Sequence, residues 1–179
     1  MSEHVTVFKP SAKQIQFLKS DKKYLCYGGA RGGGKSWVVR LDACIRCQKY
    51  KGYKALIVRL SFPELRGNHI EPLQQLLHGI AKYNKSDKEF RFPNGSLIKL
   101  DYCGTDSDVT HYQGQEYDAI YIDESTNLKW EWIEKIIVCN RGNNDFPHVV
   151  RFTANPGGVS HTEHKRIFVD QKLKANENP

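Results

Sequence analysis

Apolar residues fall along the chain in short blocks, each closed by a polar, glycine-bearing or proline-bearing stretch, and their spacing differs from block to block. Ile15, Phe17 and Leu18 lie at helical spacings after Ser11, which predicts a short helix inside a lead-in over residues 1–23. Residues 24–28, Tyr-Leu-Cys-Tyr-Gly, are an apolar run before a glycine-rich turn, and Trp37-Val-Val-Arg-Leu after the turn opens a helix over residues 34–50. The block Lys-Ala-Leu-Ile-Val-Arg-Leu at residues 54–60 predicts a buried parallel strand. Ser61 is placed to cap a helix through Leu76 and Leu77 toward Ile80. Residues 81–88 are polar. Phe90-Arg-Phe92 and Ser96-Leu-Ile-Lys-Leu100 flank Pro93-Asn94-Gly95, a hairpin pattern whose glycine supplies the positive φ. Residues 101–115 read as a loop with helical turns. An apolar strand over 117–124 ends in Asp123 and Glu124, a tryptophan- and isoleucine-rich helix covers 128–138, and a strand over 148–155 is stopped by Pro156-Gly-Gly158. Strands alternating with helices predict a layered α/β sheet, without repeats, low-complexity tracts or a domain linker.

The turn between the first strand and helix carries specific chemistry. Gly29, Gly34, Lys35 and Ser36 fit the phosphate-loop pattern G-x-x-x-x-G-K-[ST], with Ala30, Arg31, Gly32 and Gly33 between them. Glycines let successive backbone N–H groups face one concavity, and the first turn of the next helix adds its unpaired N–H groups and positive dipole end. Lys35 then reaches the β- and γ-phosphates, and the Ser36 hydroxyl ligates the Mg2+ that bridges them. Arg31 lies close enough to the γ-phosphate to stabilise transition-state charge, or alternatively to salt-bridge Glu124 or another acid as a switch. Both roles stay open at this stage.

The two strand-terminal carboxylates decide the reaction class. Asp123 is the residue type and position that hold the magnesium through its serine-bound shell. Glu124 beside it is the candidate general base, orienting and deprotonating a water aimed at the γ-phosphate. A kinase excludes such a water, so the pair favours a hydrolase. Asn84-Lys-Ser-Asp87 and Asp101-Tyr-Cys-Gly104 match guanine-nucleotide motifs, but in the wrong order and the wrong setting, and are taken as chance matches.

Composition adds bounds. A chain of 179 residues suits one domain with a real core. No apolar run approaches the roughly 20 residues of a membrane span, and Met1-Ser-Glu-His is no signal peptide, so the cytoplasm is the expected compartment. Five cysteines fit reduced thiols; Cys44 and Cys47 fall on one helix face and read as small apolar side chains. His161-Thr-Glu-His164 reads as a solvated segment. A net charge of +7 suits a polyanionic partner without identifying one.

Four motifs in order resemble one family, the large terminase subunit of tailed bacteriophages. They are Pro10-x-x-x-Gln14-x-x-Phe17-x-x-Ser20, Gly28-Gly-Ala-Arg-Gly-Gly-Gly-Lys-Ser36, Gly114-Gln-Glu-Tyr-Asp-x-Ile-x-Ile-Asp-Glu124 and Thr153-Ala-Asn-Pro-Gly-Gly158, and they cover nearly the whole chain. The resemblance implies that Gln14 contacts adenine and that Thr153 and Asn155 form a coupling motif that senses the γ-phosphate. It implies a three-layer P-loop NTPase of the ASCE type, with a central mostly parallel sheet flanked by helices. It also implies Mg2+-dependent ATP hydrolysis that drives double-stranded DNA into a prohead. The implied setting is a homo-oligomeric ring with portal and small-subunit partners, no membrane, in the cytoplasm of the infected host. Gln113 stands where several terminases carry an arginine, which leaves Arg141 and Arg151 as guesses for a trans-acting finger. The chain is expected to be one ATPase domain over residues 1–179, without the nuclease domain of the family. The alternatives are a helicase- or recombinase-like ATPase, separated by duplex unwinding, and a nucleotide-dependent assembly switch with little turnover.

Overall fold

Seven strands form one sheet in the order β1-β7-β6-β2-β5-β4-β3 in the computed structural model, which describes residues 9–30, 32–175 and 177. They are β1 (Tyr24–Gly28), β2 (Lys54–Arg59), β3 (Lys82–Asn84), β4 (Glu89–Arg91), β5 (Leu97–Tyr102), β6 (Ala119–Ile122) and β7 (Val149–Ala154). Strands β1, β7, β6, β2 and β5 run parallel; β4 and β3 are added antiparallel at one edge. The register sets Ile122 opposite Val58 and Phe152, and Gly28 opposite Ala154. The carboxyl ends of β1, β7, β6 and β2 therefore open on one edge, where α/β sheets bind ligands.

Both faces of the sheet are covered, which explains why its strands read as continuous apolar runs. Ile57 and Tyr121 join Val38, Val39 and Ala43 of α2 (Lys35–Lys49) in one core, with Phe17 of α1 (Ala12–Lys19). Leu56, Val58, Ile120, Ile122 and Phe152 face the other core with Trp132, Ile133 and Ile136 of α5 (Trp130–Ile137). Eight residues are too few for an isolated helix, so α5 depends on burying that stripe, at about 1.5–3 kcal/mol per large side chain. The three-layer fold and the mostly parallel sheet are those expected from the sequence.

The differences are local. The helix expected from Ser61 to Ile80 is α3 (Phe62–Leu65), a π-helical turn (Arg66–Ile70) and α4 (Glu71–Leu76). Pro72 lacks an N–H and its ring crowds the carbonyl one turn back, so the backbone widens ahead of it. Arg40 takes up the Asn68 carbonyl. Ser61 stands at the N-cap, but its side chain makes no capping bond. The polar stretch 81–88 contains β3, paired antiparallel to β4, and Gly95 supplies the positive φ of the β4–β5 turn. The segment read as solvated is α6 (His161–His164), whose His164 is buried.

Candidate nucleotide site

β1 ends at Gly28, and the Gly29 amide bonds the Ala154 carbonyl at the end of β7, which fixes where the glycine-rich loop leaves the sheet. Gly34 is the N-cap of α2 in the left-handed region, and no side chain caps that helix start. The left-handed backbone favours glycine at Gly34, and a Cβ there would lie 2.5 Å from Gln14 Nε2 and displace that amide from the loop. Lys35 turns its ammonium back over the loop and donates to the carbonyls of Gly29 (3.0 Å) and Ala30 (2.7 Å). Gln14 closes the capping box of α1 with Ser11 and donates to the Gly34 carbonyl at 3.4 Å, so the amide supports the loop from α1.

Asp123 is fully buried where β6 ends. Its Oδ2 accepts from Ser36 Oγ (2.8 Å), Arg59 Nη1 (2.6 Å) and His69 Nε2 (2.8 Å), and its Oδ1 from Thr153 Oγ1 (2.5 Å). Burial alone raises this carboxyl, but the hydrogen bonds from His69 and Thr153 and the charge of Arg59 outweigh it and hold Asp123 well below the usual carboxylate range. Burial keeps the His69 imidazole below its usual range, against the pull of Asp123, so the pair is a neutral ring donating to a carboxylate. Glu124 has φ +53°, in the left-handed region that non-glycine residues rarely enter. Its amide donates to Thr153 Oγ1 at 2.8 Å, and its carboxylate lies 3.3 Å from both Arg59 Nη2 and Asn127 Nδ2. Thr153 thus ties both acids to the end of β7.

These elements enclose a cleft of about 480 Å³. Gly32, Gly33, Gly34, Lys35, Ser36, Asp123, Glu124 and Asn155 line it, together with Trp37, Arg40 and Pro72. Gln14, Gly29, Ala30 and Thr153 support the lining without forming part of it. Arg31 lies outside the described residues. Asn155 Oδ1 is a buried acceptor without a hydrogen bond. A serine hydroxyl and a carboxylate converging beside a lysine are the hard oxygen donors and counter-charge that suit Mg2+ with phosphates.

Two residues of this site are missing from the sequence reading. Arg59 leaves one signal, a cation closing an otherwise apolar strand. His69 leaves none, because the π-helical turn that aims it is not periodic. Of the guesses for an arginine finger, Arg151 is buried in β7 and donates to the carbonyls of Ser20 and Lys22, which removes it from any intermolecular role. Arg141 is exposed beside Glu116. Asn84 and Asp87 bond each other in the β3–β4 turn, consistent with a chance motif. Cys44 and Cys47 are buried free thiols, Cys44 pushed up to about 12 by burial. Among the described residues no group of three or more His, Cys, Asp or Glu is placed to hold a metal, and no helix is long and apolar enough to cross a membrane.

Solved structures share this arrangement of strands. The large terminase of a thermophilic bacteriophage superposes with a TM-score of 0.74 at 20% identity, over 91% of this chain and 43% of that one. The same terminase in complex with ADP gives 0.72 at 19%, over 90% and 43%. The large terminase ATPase domain of Thermus phage P74-26 gives 0.67 at 16%, over 94% and 74%. This chain thus spans less than half the length of the first of these terminases. No curated protein sequence matches it. The family model for the phage terminase large subunit matches residues 21–179, from just before β1 through both acids and the Thr153-Ala-Asn155 strand end to the last residue. With phosphate loop, acidic strand end and β7 terminus meeting in one cleft, the chain belongs to the phage terminase large subunit family.

Proposed function

We propose that residues 1–179 form an ATPase domain that hydrolyses ATP with Mg2+ and so drives double-stranded DNA into a phage prohead. The observation that carries this reading is the 2.8 Å bond from Ser36 Oγ to Asp123 Oδ2, which joins the phosphate loop to the acidic strand end, with Glu124 lining the same cleft. The family match supports the packaging role, and the ADP complex of the thermophilic-phage terminase supports a nucleotide ligand.

In this reading the loop amides from Gly29 to Gly34 and the Lys35 ammonium bind the phosphates, exchanging the Gly29 and Ala30 carbonyls for anionic oxygens. Gln14 holds the loop and reads adenine. When bound, Mg2+ neutralises charge on the β- and γ-phosphate oxygens. Ser36 and Asp123 would hold it; Asp123 Oδ2 already accepts three donors, so it would act through the serine hydroxyl. Glu124 accepts the proton of a water aimed at the γ-phosphorus, for about 10²–10⁴ in rate. Arg31 stabilises the developing charge. Thr153 and Asn155 sense the γ-phosphate through the tie between Thr153 and both acids. A homo-oligomeric ring, portal and small-subunit partners, and salt-sensitive contacts to DNA phosphates complete the motor.

The experiment compares ATP and GTP as substrates with Mg2+ over a wide range of protein concentration. ATP-selective phosphate release that rises in specific activity with concentration supports the motor. Tight ATP binding without release at any concentration, with DNA and partners present, favours an assembly switch instead.

A further inference from the structure

Next to Glu124, but outside the cleft lining, lies a buried polar cluster that the chemistry above does not use. Ser125, Ser160 and His164 are at most 4% exposed. Ser125 Oγ is 2.9 Å from the Thr153 carbonyl and 2.6 Å from His164 Nε2; His164 Nδ1 is 2.9 Å from the Ser160 carbonyl. Further bonds join the same two segments: Ser160 N to the Thr126 carbonyl (3.1 Å), Thr126 Oγ1 to the Asn155 carbonyl (3.2 Å) and Ser160 Oγ to the Ser125 carbonyl (3.3 Å). Gly158 completes the seam, since a Cβ there would lie 2.3 Å from the Thr126 carbonyl oxygen.

The protons of this cluster do not suffice for its contacts. A carbonyl only accepts, so the ring proton of a neutral His164 belongs on Nδ1, facing Ser160. Nε2 is then an acceptor, and the single Ser125 hydroxyl proton has two acceptors, Thr153 O on the sheet and Nε2 on α6. Trp130, Phe152 and Phe168 pack around the imidazole, and burial keeps it below its usual range against the Ser160 bond. The hydroxyl is thus shared between the end of β7 and the helix that follows it. Glu124, one residue upstream, sits at φ +53°, a geometry kept only where neighbours enforce it.

We propose that Ser125 and His164 are positioning residues that clamp the left-handed turn at Glu124 to α6, so that any shift of the segment after the Thr153-Ala-Asn155 strand end moves the water-activating carboxylate. This rests on Glu124 as general base. The clamp gives the motor a route from α6 to the chemistry, with the shared hydroxyl as its two-position element.

The test compares Ser125→Ala, His164→Phe and His164→Gln, the last keeping a polar group where Nε2 lies. In Ser125→Ala and His164→Phe, kcat falls about 10- to 100-fold with KM for ATP within about twofold, the pattern of a misplaced catalytic group. His164→Gln recovers most of the loss. Amide hydrogen exchange over residues 124–127 rises at least about fivefold in the first two and stays near wild type in His164→Gln. Unchanged exchange in Ser125→Ala overturns the clamp, and so does raised exchange with unchanged kcat. If the wild-type chain and Glu124→Gln release phosphate equally, the general-base assignment fails and the proposal with it. If neither releases any, even with DNA and partners present, the hydrolase reading fails, and exchange alone decides whether the turn is clamped: lost protection supports the clamp and kept protection overturns it.

Discussion

Replacing Thr153 with valine removes one hydroxyl from the centre of the site and little else. Thr153 is fully buried, and valine matches its shape, so no cavity forms. Two bonds disappear: the Thr153 hydroxyl to Asp123 Oδ1, and the Glu124 amide to that hydroxyl. A bond to a charged acceptor contributes about 1.5–3 kcal/mol, and a buried N–H left without a partner costs about 1–3 kcal/mol. The Asp123 bond is buried and belongs at the upper end; the Glu124 amide is partly shielded and belongs at the lower, for a total of about 3–4 kcal/mol. In a domain of this size each kcal/mol lowers Tm by about 2–4 °C, so the variant melts roughly 6–16 °C below wild type. With the Glu124 amide released from the Thr153 hydroxyl, and the turn held to β7 through Ser125 and Thr126 alone, turnover falls at least about tenfold. Thr153→Ser keeps both bonds, loses one methyl at about 0.8 kcal/mol, and keeps most of its turnover. Scanning calorimetry and phosphate release on the three proteins decide it. A valine variant that melts within about 2 °C of wild type and turns over normally refutes the reasoning.

Three further outcomes follow from the same geometry. Lys35→Ala loses charge-assisted contacts of about 1.5–3 kcal/mol each, so the ATP Kd rises at least about 100-fold by titration calorimetry; retained micromolar affinity contradicts the role of Lys35. Gly158→Ala combines φ +90° with a Cβ 2.3 Å from the Thr126 carbonyl oxygen and costs about 2–4 kcal/mol. Gly157→Ala, at φ +89° with open space around it, costs only about 1 kcal/mol; equal urea midpoints for the two contradict the close approach. Asp123 is more acidic folded than unfolded, so its stabilisation is complete above the ordinary value of 3.8 and drains away as pH falls below it. The Tm of wild type should therefore drop more steeply below about pH 4 than that of Asp123→Asn; parallel profiles contradict the assignment.

The motif residues were legible because their chemistry is written in local spacing. Gly29 to Ser36 need only a strand before and a helix after, and Asp123 and Glu124 need only an apolar run ahead of them. The sheet was legible because continuous apolar runs with intervening helices admit few arrangements. Features that depend on distant partners were not. Pro72 was visible, but the π-helical turn it induces, and hence the aim of His69 at Asp123, depends on how that turn packs against α2. His164 looked solvated among polar neighbours, yet Trp130, Phe152 and Phe168 enclose it from three separate elements. The strand β3 has little apolar signal of its own and forms because β4 offers it an edge.

The central claim is that this cleft hydrolyses ATP with Glu124 as its base. Its most direct test is Mg2+-dependent phosphate release from ATP by the chain beside Glu124→Gln, with ATP binding measured on both. The account predicts that both bind ATP and that only the wild type releases phosphate, with the glutamine variant slower by at least about 100-fold. Undiminished turnover in Glu124→Gln would contradict it.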